Sequence, residues 1–267
     1  MKTGALLFAF NTNETDYFKM AEFSAKNIKR WLNIPTSVIT DDKRKSSVFD
    51  NIIINQNTKS SKRYFDDRNS TVEWKNSGRS SAYSLTPYDQ TLLLDVDYIV
   101  ASNQLSTILD SSYEFLCPDS AFELSGTKSN NPSFGKFQMK MFWATVIMFR
   151  KTKHSQVIFE LIKMIENNFE HYANLYGFPK TPYRNDYALS IALSIASGHL
   201  ETKTHSIPWP LINIHPEHDV NLVDTDTFEI TYIKSTRSRE RMFRNKVINQ
   251  DIHVMGKTSM EKIIESC

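Results

Sequence analysis

The sequence predicts an α/β protein with a mostly parallel central sheet and helices on both sides of it. Its 267 residues are enough to bury a substantial core, and 40% hydrophobic with 23% charged residues is typical of a globular protein. Short apolar runs alternate with segments of helical periodicity over about the first 110 residues. Such alternation is the pattern of β-α-β units, in which helices connect parallel strands.

The first half of the chain supplies most of the predicted strands. "GALLFAF" predicts a buried first strand, and residues 15–32 place apolar side chains at helical spacing. "IPTSVIT" and "DNIIIN" predict the second and third strands. Residues 76–86 predict a short helix that Pro87 ends, and "TLLLDVDYIV" predicts the next strand.

The second half adds one strand and two helices. "KMFWATVIMFRKT" is rich in β-branched and aromatic residues, which favours a strand. Residues 154–172 predict an amphipathic helix, and "RNDYALSIALSIAS" predicts another with Asn185 as its N-cap. The apolar stripe predicted for the first of these helices is Val157, Leu161, Ile165 and Phe169. No boundary divides the chain, so we expect a single domain over residues 1–267, with residues from about 220 to 267 forming an annex.

Two carboxylates follow the apolar run Leu92–Leu94 at the predicted end of a strand. Ligands of doubly wound sheets bind at the carboxyl ends of the strands, where Asp95 and Asp97 would emerge. Residues two apart in an extended segment point the same way, and two neighbouring anions favour a cation between them. Oxygen ligands suit Mg²⁺ or Mn²⁺, with a phosphate to complete the coordination. On spacing alone, a turn with two solvated acids explains the pair equally well.

The surroundings of this pair resemble the nucleotide-sugar transferases of the GT-A fold, a Rossmann-like architecture. The matching run is an Arg, a short helix, Pro-Tyr-Asp, an apolar strand and D-x-D, filled here by Arg79, Pro87, Tyr88, Asp89, Asp95 and Asp97. In detail the chain is most similar to the glycogenin and galactosyltransferase-like branch.

That branch carries a late H-x-x-G-x-x-K element, which "HVMGKTSMEK" resembles. The resemblance implies that His253 is a third metal ligand beside Asp95 and Asp97. It also implies that Gly256 and a lysine meet the diphosphate. Lys257 follows the glycine sooner than the family spacing, so Lys262 stays an alternative, although we prefer Lys257.

The resemblance implies further donor contacts. Asp186 matches an acid near the donor sugar, and Arg79 would hold a phosphate or a sugar hydroxyl. The nucleoside would lie against the ends of the first two strands, at Phe10, Asn11, and Asp41 or Asp42. The chain departs from the branch at "FWATVIMF", where Trp143 replaces a polar Asn of the sugar pocket.

The expected activity is metal-dependent transfer of a sugar from a nucleotide-diphosphate donor to a hydroxyl group. The preferred donor is a UDP-sugar. Retention and inversion stay open; a base for inversion would come from Asp119, Glu123 or Asp186. One alternative is a nucleotidyltransferase, although "FAFNTNETDYF" is not the Gly-rich basic loop that such enzymes want after the first strand. The other is an inactive GT-A-like module that binds a nucleic acid or a protein. The four histidines at 199, 205, 215 and 218 match no closed zinc site.

The acceptor hypothesis comes from charge. The net charge is only +2, but Lys234–Lys246 carries six basic residues and one acid. A solvated surface is the plain explanation; a phosphate-binding face is the other. Viral enzymes that glycosylate hydroxymethylated DNA bases need such a face, so we expect phage-type DNA modification as one function, with Arg239, Arg241 and Arg244 binding DNA. A glycan or lipid-linked saccharide is the alternative acceptor.

The expected location is the cytoplasm, or the host cytoplasm if the protein is viral. The two cysteines cannot build a disulfide framework, and no stretch approaches the roughly 18 apolar residues of a membrane span.

Overall fold

A computed structural model of the protein describes residues 1–56, 61–65, 70–124, 129–130, 133–178, 182–200, 204–224, 226–236 and 239–267. The strands are β1 Thr3–Ala9, β2 Thr36–Thr40, β3 Asn51–Ile54, β4 Ser61–Phe65, β5 Ser70–Trp74, β6 Gln90–Leu94, β7 Tyr98–Ile99, β8 Phe115–Leu116, β9 Ala121–Glu123, β10 Ser129–Asn130, β11 Ser133–Phe134, β12 Met139–Lys140, β13 Val146–Arg150, β14 Leu211–Ile214, β15 Asp219–Leu222, β16 Thr227–Thr236, β17 Arg239–Ile248 and β18 Ile252–Val254.

The helices are short apart from three. They are α1 Tyr17–Leu32, α2 Ala82–Leu85 directly after a 3₁₀ helix over Asn76–Ser81, α3 Ser106–Leu109, α4 Lys153–Asn167, α5 Phe169–Tyr176, α6 Asn185–Ala196 and α7 Lys257–Glu265. No helix in the described part of the chain is long and apolar enough to cross a membrane.

The central sheet has six strands in the order β3-β2-β1-β6-β13-β8. Its first four strands are parallel, whereas β13 runs antiparallel to both β6 and β8. This confirms the predicted α/β class with a mainly parallel sheet.

Both faces of this sheet are covered, as the continuous apolar runs predict. Along β1, Leu7 packs into one hydrophobic cluster and Leu6 into another, because neighbouring side chains of a strand point to opposite faces. Helices α1 and α7 supply Phe18 and Met260 to the first cluster. Helices α4 and α6 contribute to the second, which leaves the sheet between two helical layers.

Helix α1 confirms the prediction for residues 15–32 to within two residues at its start. The Asp16 carboxylate accepts a hydrogen bond of 2.9 Å from the Lys19 backbone N–H, which caps the helix. Asn33 ends it with φ of 51°, a left-handed conformation that Asn tolerates.

The buried stripe predicted for α4 is correct at Ile165 and off by one position at Val157 and Leu161, while Phe169 lies beyond the helix in α5. The helix buries Ile158, Ile162 and Ile165, while Val157 and Leu161 are half-buried. The prediction chose one of two overlapping apolar rows, and the contact with α6 selects the other. The N-cap of α6 is Arg184 rather than Asn185.

The strand predicted over 91–100 is broken at the two aspartates. Residues 91–94 lie in the central sheet, but β7 lies in a second, five-stranded sheet of order β10-β9-β14-β18-β7. Between them the Tyr98 N–H donates a hydrogen bond of 3.1 Å to the Asp95 carbonyl. The chain therefore turns at Asp95–Asp97 and passes from one sheet to the other.

Part of the predicted annex is a separate three-stranded antiparallel sheet, β15-β16-β17. Its hairpin, β16 and β17, pairs over ten residues on each strand. The chain then returns to the body of the molecule, because β18 joins the five-stranded sheet and α7 packs on the core.

Candidate functional site

An open cleft lies where β1 and β6 end. Predicted site residues Phe10, Arg79, Asp95, Asp97, Asp186, His253 and Lys257 all line it. The carboxyl ends of parallel strands form such a crevice in doubly wound sheets.

Three of these residues can hold a metal ion. One ligand atom each from Asp95, Asp97 and His253 lie within 4.8 Å of one another. His253 is far from Asp97 along the chain, but β18 pairs with β7 so that His253 is opposite Tyr98. The Val254 N–H also donates a hydrogen bond of 2.9 Å to the Asp97 carbonyl, which fixes the two segments together. The Nε2 atom of His253 is 3.5 Å from Oδ1 of Asp97.

The two aspartates converge for a different reason from the one predicted. They do not alternate along a strand, because they lie in the turn between β6 and β7. Asp97 is also buried, at 8% exposure, rather than solvated at a strand end.

Each aspartate has a cation of its own. The Lys257 ammonium forms an ion pair with Oδ2 of Asp97, and Nη1 of Arg79 pairs with Oδ1 of Asp95. Burial alone would raise the pKa of Asp97, but the Lys257 ammonium beside it holds that pKa well below its usual range. Burial raises the pKa of Asp95 despite Arg79, and the Asp97 charge raises it further. The two carboxyl groups thus differ in acidity, and Asp97 ionises more readily than Asp95.

Arg79 keeps donor capacity toward the cleft. It is 5% exposed, and its Nε and Nη2 atoms are buried without a hydrogen-bond partner among the described residues. A buried guanidinium with two unused donors is costly unless a ligand oxygen meets it. Arg79 therefore suits an anionic or hydroxyl-bearing ligand.

Asp186 is held in place by the protein itself. Its Oδ1 accepts a hydrogen bond of 2.9 Å from the Ala144 N–H, and its Oδ2 pairs with Nη2 of Arg184 at 3.0 Å. It lies in the first turn of α6, where a negative charge is favourable. Asp186 thus lines the cleft with both oxygens already engaged.

The residues predicted for the nucleoside form a linked group at the ends of β1 and β2. Asn11 donates hydrogen bonds to Asp41 at 3.1 Å and to Asp42 at 2.6 Å. Nζ of Lys75 lies 2.8 Å from the Asn11 carbonyl oxygen and 3.1 Å from Oδ2 of Asp41. Phe10 and Lys75 line the cleft. Asn11 and Asp41 do not line it, but both contact the Lys75 ammonium.

Gly256 has a packing role in this structure. A Cβ atom there would lie 3.2 Å from Cα of Pro216, which few Cβ contacts match. Gly256 is the N-cap of α7, so its lack of a side chain lets the helix start close to the cleft wall. The partial positive charge of a helix N-terminus then adds to that of Lys257.

The three arginines predicted to bind DNA do not share one face. In the β16–β17 ladder the side chains of Arg239 and Arg241 lie on one face. Arg244 is an odd number of residues from both, so its side chain lies on the opposite face. All three are exposed, and Nη1 of Arg244 is 3.9 Å from Oε1 of Glu229. Arg237, another member of the basic run, lies outside the described residues.

A second group of ligand-type side chains lies near the cleft wall. One atom each from Glu123, Glu217 and His218 lie within 4.8 Å of one another. The sequence predicted no metal site for these histidines. Glu217 is 73% exposed, and Nε2 of His218 lies 3.7 Å from Oε1 of Glu217, beyond hydrogen-bond distance. Burial lowers the pKa of His218.

Several cleft residues carry no sequence motif. Lys75, Arg184 and His215 line the cleft, and Asn213 accepts a hydrogen bond from His253. Lys75 follows a polar stretch and Asn213 lies in an apolar strand, so neither has a local signal. Their roles depend on contacts between segments that are far apart in sequence.

Comparison with known proteins gives a fold likeness. No family model and no curated protein matches the sequence. The glycosyltransferase GlyE of Streptococcus pneumoniae TIGR4 matches at a TM-score of 0.46 and 14% identity, over 78% of this chain and 46% of GlyE. The galactosyltransferase LgtC, solved with donor and acceptor sugar analogues, matches at 0.47 and 11%, over 76% of this chain and 72% of LgtC.

The mannosyltransferase PcManGT from Pyrobaculum calidifontis, solved with GDP-Man and Mn²⁺, matches at a TM-score of 0.38 and 9% identity, over 80% of this chain and 56% of the enzyme. The chain thus spans under half the length of GlyE. A Bacillus anthracis protein assigned as a glucose-1-phosphate thymidylyltransferase also matches, at 0.36. All four TM-scores are below 0.5, so these likenesses carry no functional argument, and the function must be argued from the site.

Proposed function

We propose that the protein is a metal-dependent glycosyltransferase that moves a sugar from a nucleoside-diphosphate donor to a hydroxyl group. The observation that carries the proposal is the cluster of Asp95, Asp97 and His253, with Lys257 and Arg79 beside it in one cleft. Carboxylates, an imidazole and two cations suit a metal-bound diphosphate.

The donor set fits a divalent ion. Buried Asp97 is ionised and faces His253, and two carboxylates with one imidazole suit Mn²⁺ and admit Mg²⁺. Asp95, Asp97 and His253 would hold the ion. When bound, it would neutralise the charge that grows on the departing diphosphate.

The side chains around this cluster supply the remaining functions. Lys257 offers a compact positive charge for diphosphate oxygens, and the two unused donors of Arg79 would bind a phosphate or a sugar hydroxyl. Lys75 and Phe10 would flank the nucleotide of the donor, for which a UDP-sugar is the preferred candidate. Asp186, fixed by Ala144 and Arg184, would orient the sugar rather than take its proton.

The proposal is tested with the wild type and Asp97→Asn. We expect Mn²⁺ to support binding of one nucleotide sugar and its slow hydrolysis, both lost in Asp97→Asn. The variant should also lose some stability, because Lys257 then stays buried beside a neutral amide. Calorimetry with a panel of nucleotide sugars measures binding, and Asp219→Asn, an exposed acid outside the cleft, is the control.

The outcome also separates the rival activity. Pyrophosphate release from a nucleoside triphosphate, without any sugar release, would replace the glycosyltransferase by a nucleotidyltransferase. Donor binding that survives unchanged in Asp97→Asn would remove the metal site.

For the acceptor we propose hydroxymethylated duplex DNA, with a glycan or lipid-linked saccharide as the alternative. The supporting observation is a row of rings that leads from the hairpin to the cleft. Phe243 stacks on Tyr232 at 5.6 Å, Tyr232 lies 5.6 Å from His218, and His218 lies 6.3 Å from His215 at the cleft wall. Arg239 and Arg241 share the face of Phe243, so base-stacking and phosphate-binding groups occur together.

A further inference from the structure

We propose that Asn213 is a positioning residue that holds His253 in the tautomer with its proton on Nδ1, so that the Nε2 lone pair faces Asp97. This inference rests on the proposed metal site. It assigns a role to a residue outside the cleft.

The geometry defines the direction of the hydrogen bond. Nδ1 of His253 lies 3.0 Å from Oδ1 of Asn213. An amide oxygen only accepts hydrogen bonds, so Nδ1 must carry the proton. The other ring nitrogen, Nε2, lies 3.5 Å from Oδ1 of Asp97. In a neutral imidazole Nε2 is then an acceptor that faces a carboxylate, an arrangement that a cation between them stabilises.

Asn213 is fixed by the sheet. It is 5% exposed and lies in β14, a strand with neighbours on both sides. In the parallel ladder it is in register with His253 on β18 and with Glu123 on β9. Side chains in register on adjacent strands share a face, so the amide stands directly beside the imidazole. Neither ring nor amide can rotate freely in a buried row of this kind.

The choice of an amide has a chemical consequence. Metal-binding histidines in proteins donate their second ring N–H to a carboxylate, a carbonyl or water, which orients the ring. Asn213 supplies a carbonyl-type oxygen without a charge. Asp97 and Asp95 would then provide the negative charge of the site. His253 would be a neutral ligand whose Nε2 lone pair faces Asp97.

The wild-type protein gives the first test. In metal-free protein with ¹⁵N-labelled histidine, long-range ¹H–¹⁵N spectra should show His253 protonated at Nδ1. A proton on Nε2 with a bare Nδ1 would overturn the assignment, since Asn213 would then donate through its NH₂ group. This measurement needs no variant and no metal.

The second test uses Asn213→Leu and Asn213→Asp with Mn²⁺ alone as the probe. Leu has the same branched side-chain skeleton as Asn but cannot accept a hydrogen bond, so we expect Mn²⁺ affinity to fall about 10- to 100-fold and the proton to redistribute between the ring nitrogens. Asp keeps an acceptor and should hold both the tautomer and the affinity within about threefold of the wild type. Asn221→Leu, at an exposed position of β15, is the control for the Asn-to-Leu substitution itself.

Mn²⁺ binding is followed by electron paramagnetic resonance, and folding by circular dichroism. Equal affinities in Asn213→Leu and wild type would overturn the proposal, as would an equal loss in Asn213→Asp. If Asn213→Leu does not fold, the Asp variant and the wild-type tautomer decide. A wild type that binds no Mn²⁺ yet shows the Nδ1 proton would overturn the metal function and leave the positioning of His253 intact.

Discussion

Lys257 and Arg79 give the carboxylates of Asp97 and Asp95 a separate cation each. Asp97 is the more deeply buried of the two acids, and its partners His253 and Lys257 are buried as well. An ion at Asp97 must therefore share that carboxylate with an ammonium already in contact with it. Under the proposed function, Lys257 would compete with the metal at Asp97, yet it would help to bind a diphosphate, which brings new negative charge.

Lys257→Gln should separate these two effects. Without the ammonium, Mn²⁺ alone should bind about tenfold more tightly, because Asp97 loses its competing cation. Nucleotide-sugar binding in the presence of Mn²⁺ should weaken about tenfold or more, because a charge-assisted hydrogen bond to the diphosphate is removed. Calorimetry measures both affinities.

Lys262→Gln is the matched control, since Lys262 lies on the same helix but is exposed and pairs with Asp219 at 3.2 Å. We expect both affinities to stay unchanged in it. If Lys262→Gln weakens the donor and Lys257→Gln does not, the lysine of the family motif is Lys262.

At the residue scale the sequence predicted the side chains that belong to a local motif. Asp95, Asp97, His253 and Lys257 all reach one cleft. Asn213 could not be predicted, because its partner lies 40 positions away on another strand. The pattern of residues reveals which chemistry is present, whereas strand register determines which neighbour supports it.

The elements of the site are joined at Asp251, just before β18. Its carboxylate accepts hydrogen bonds from the Ala101 N–H at 2.9 Å, the Ser102 hydroxyl at 2.8 Å and the Tyr98 hydroxyl at 3.2 Å. Burial raises the pKa of Asp251 to about 6, although these hydrogen bonds lower it. The junction of β7 and β18 therefore depends on a buried acid that is easily protonated.

A raised carboxyl pKa stabilises the fold at low pH. The contribution of Asp251 is fully present below its ordinary pKa of 3.8 and is lost as the pH rises through about 6. Asp251→Asn cannot ionise. The free energy of unfolding of the wild type, relative to the variant, should rise by about 1–3 kcal/mol between pH 7 and pH 4.

Urea unfolding of both proteins in chelator, at several pH values, tests this expectation. Other acids such as Asp97 titrate in both proteins, so their effect cancels in the difference. A difference that stays constant between pH 4 and pH 7 would show that Asp251 does not titrate there.

Strand β1 contains a glycine that the sheet requires. A Cβ atom at Gly4 would lie 2.4 Å from the ring of Tyr88. That ring cannot move aside easily, because it is 1% exposed and its hydroxyl lies 2.7 Å from the Ser37 hydroxyl. The tyrosine of the Pro-Tyr-Asp run thus has a structural role beneath the site.

Gly4→Ala should therefore lower the free energy of unfolding by about 1–3 kcal/mol, as overpacking does in a filled core. Gly78→Ala is the matched control, because no atom of the described part of the chain lies within 4 Å of a Cβ there. It should be neutral or slightly stabilising. Equal thermal unfolding midpoints for the two variants would contradict the packing argument.

Strands and helices were predicted correctly where the apolar residues of a segment are all buried within one sheet or one helical layer. The break after β6 was not, because apolar residues flank Asp95–Asp97 on both sides and hide the change of sheet. Pairing of β7 with β18 causes that break, and β18 lies close to the other end of the chain. Long-range pairing of this kind leaves no local signal.

At the scale of the whole molecule, ring contacts of Tyr232 with His218 and of His218 with His215 link the hairpin of β16 and β17 to the cleft wall. Phe228 and Ile230 of β16 are buried in the hydrophobic core, whereas β17 is exposed over most of its length. One face carries Arg239, Arg241 and Phe243 toward the His215 side of the cleft, and the other carries Arg244 and Lys246 opposite acidic Glu229. The two faces therefore differ in charge balance, which allows the acceptor to be tested.

If duplex DNA is the acceptor, its binding should weaken steeply between about 50 and 200 mM salt. Arg239→Gln with Arg241→Gln should reduce the slope of log affinity against log salt by about two, one for each phosphate that is no longer neutralised. Arg244→Gln with Lys246→Gln removes the same charge from the face that holds Glu229, and should change the slope by less than about one. Fluorescence anisotropy with plain and hydroxymethylated duplexes measures all three proteins. Equal slopes in both double variants would mean non-specific attraction to a basic hairpin, and no binding at about 50 mM salt would leave a glycan or lipid-linked saccharide as the acceptor.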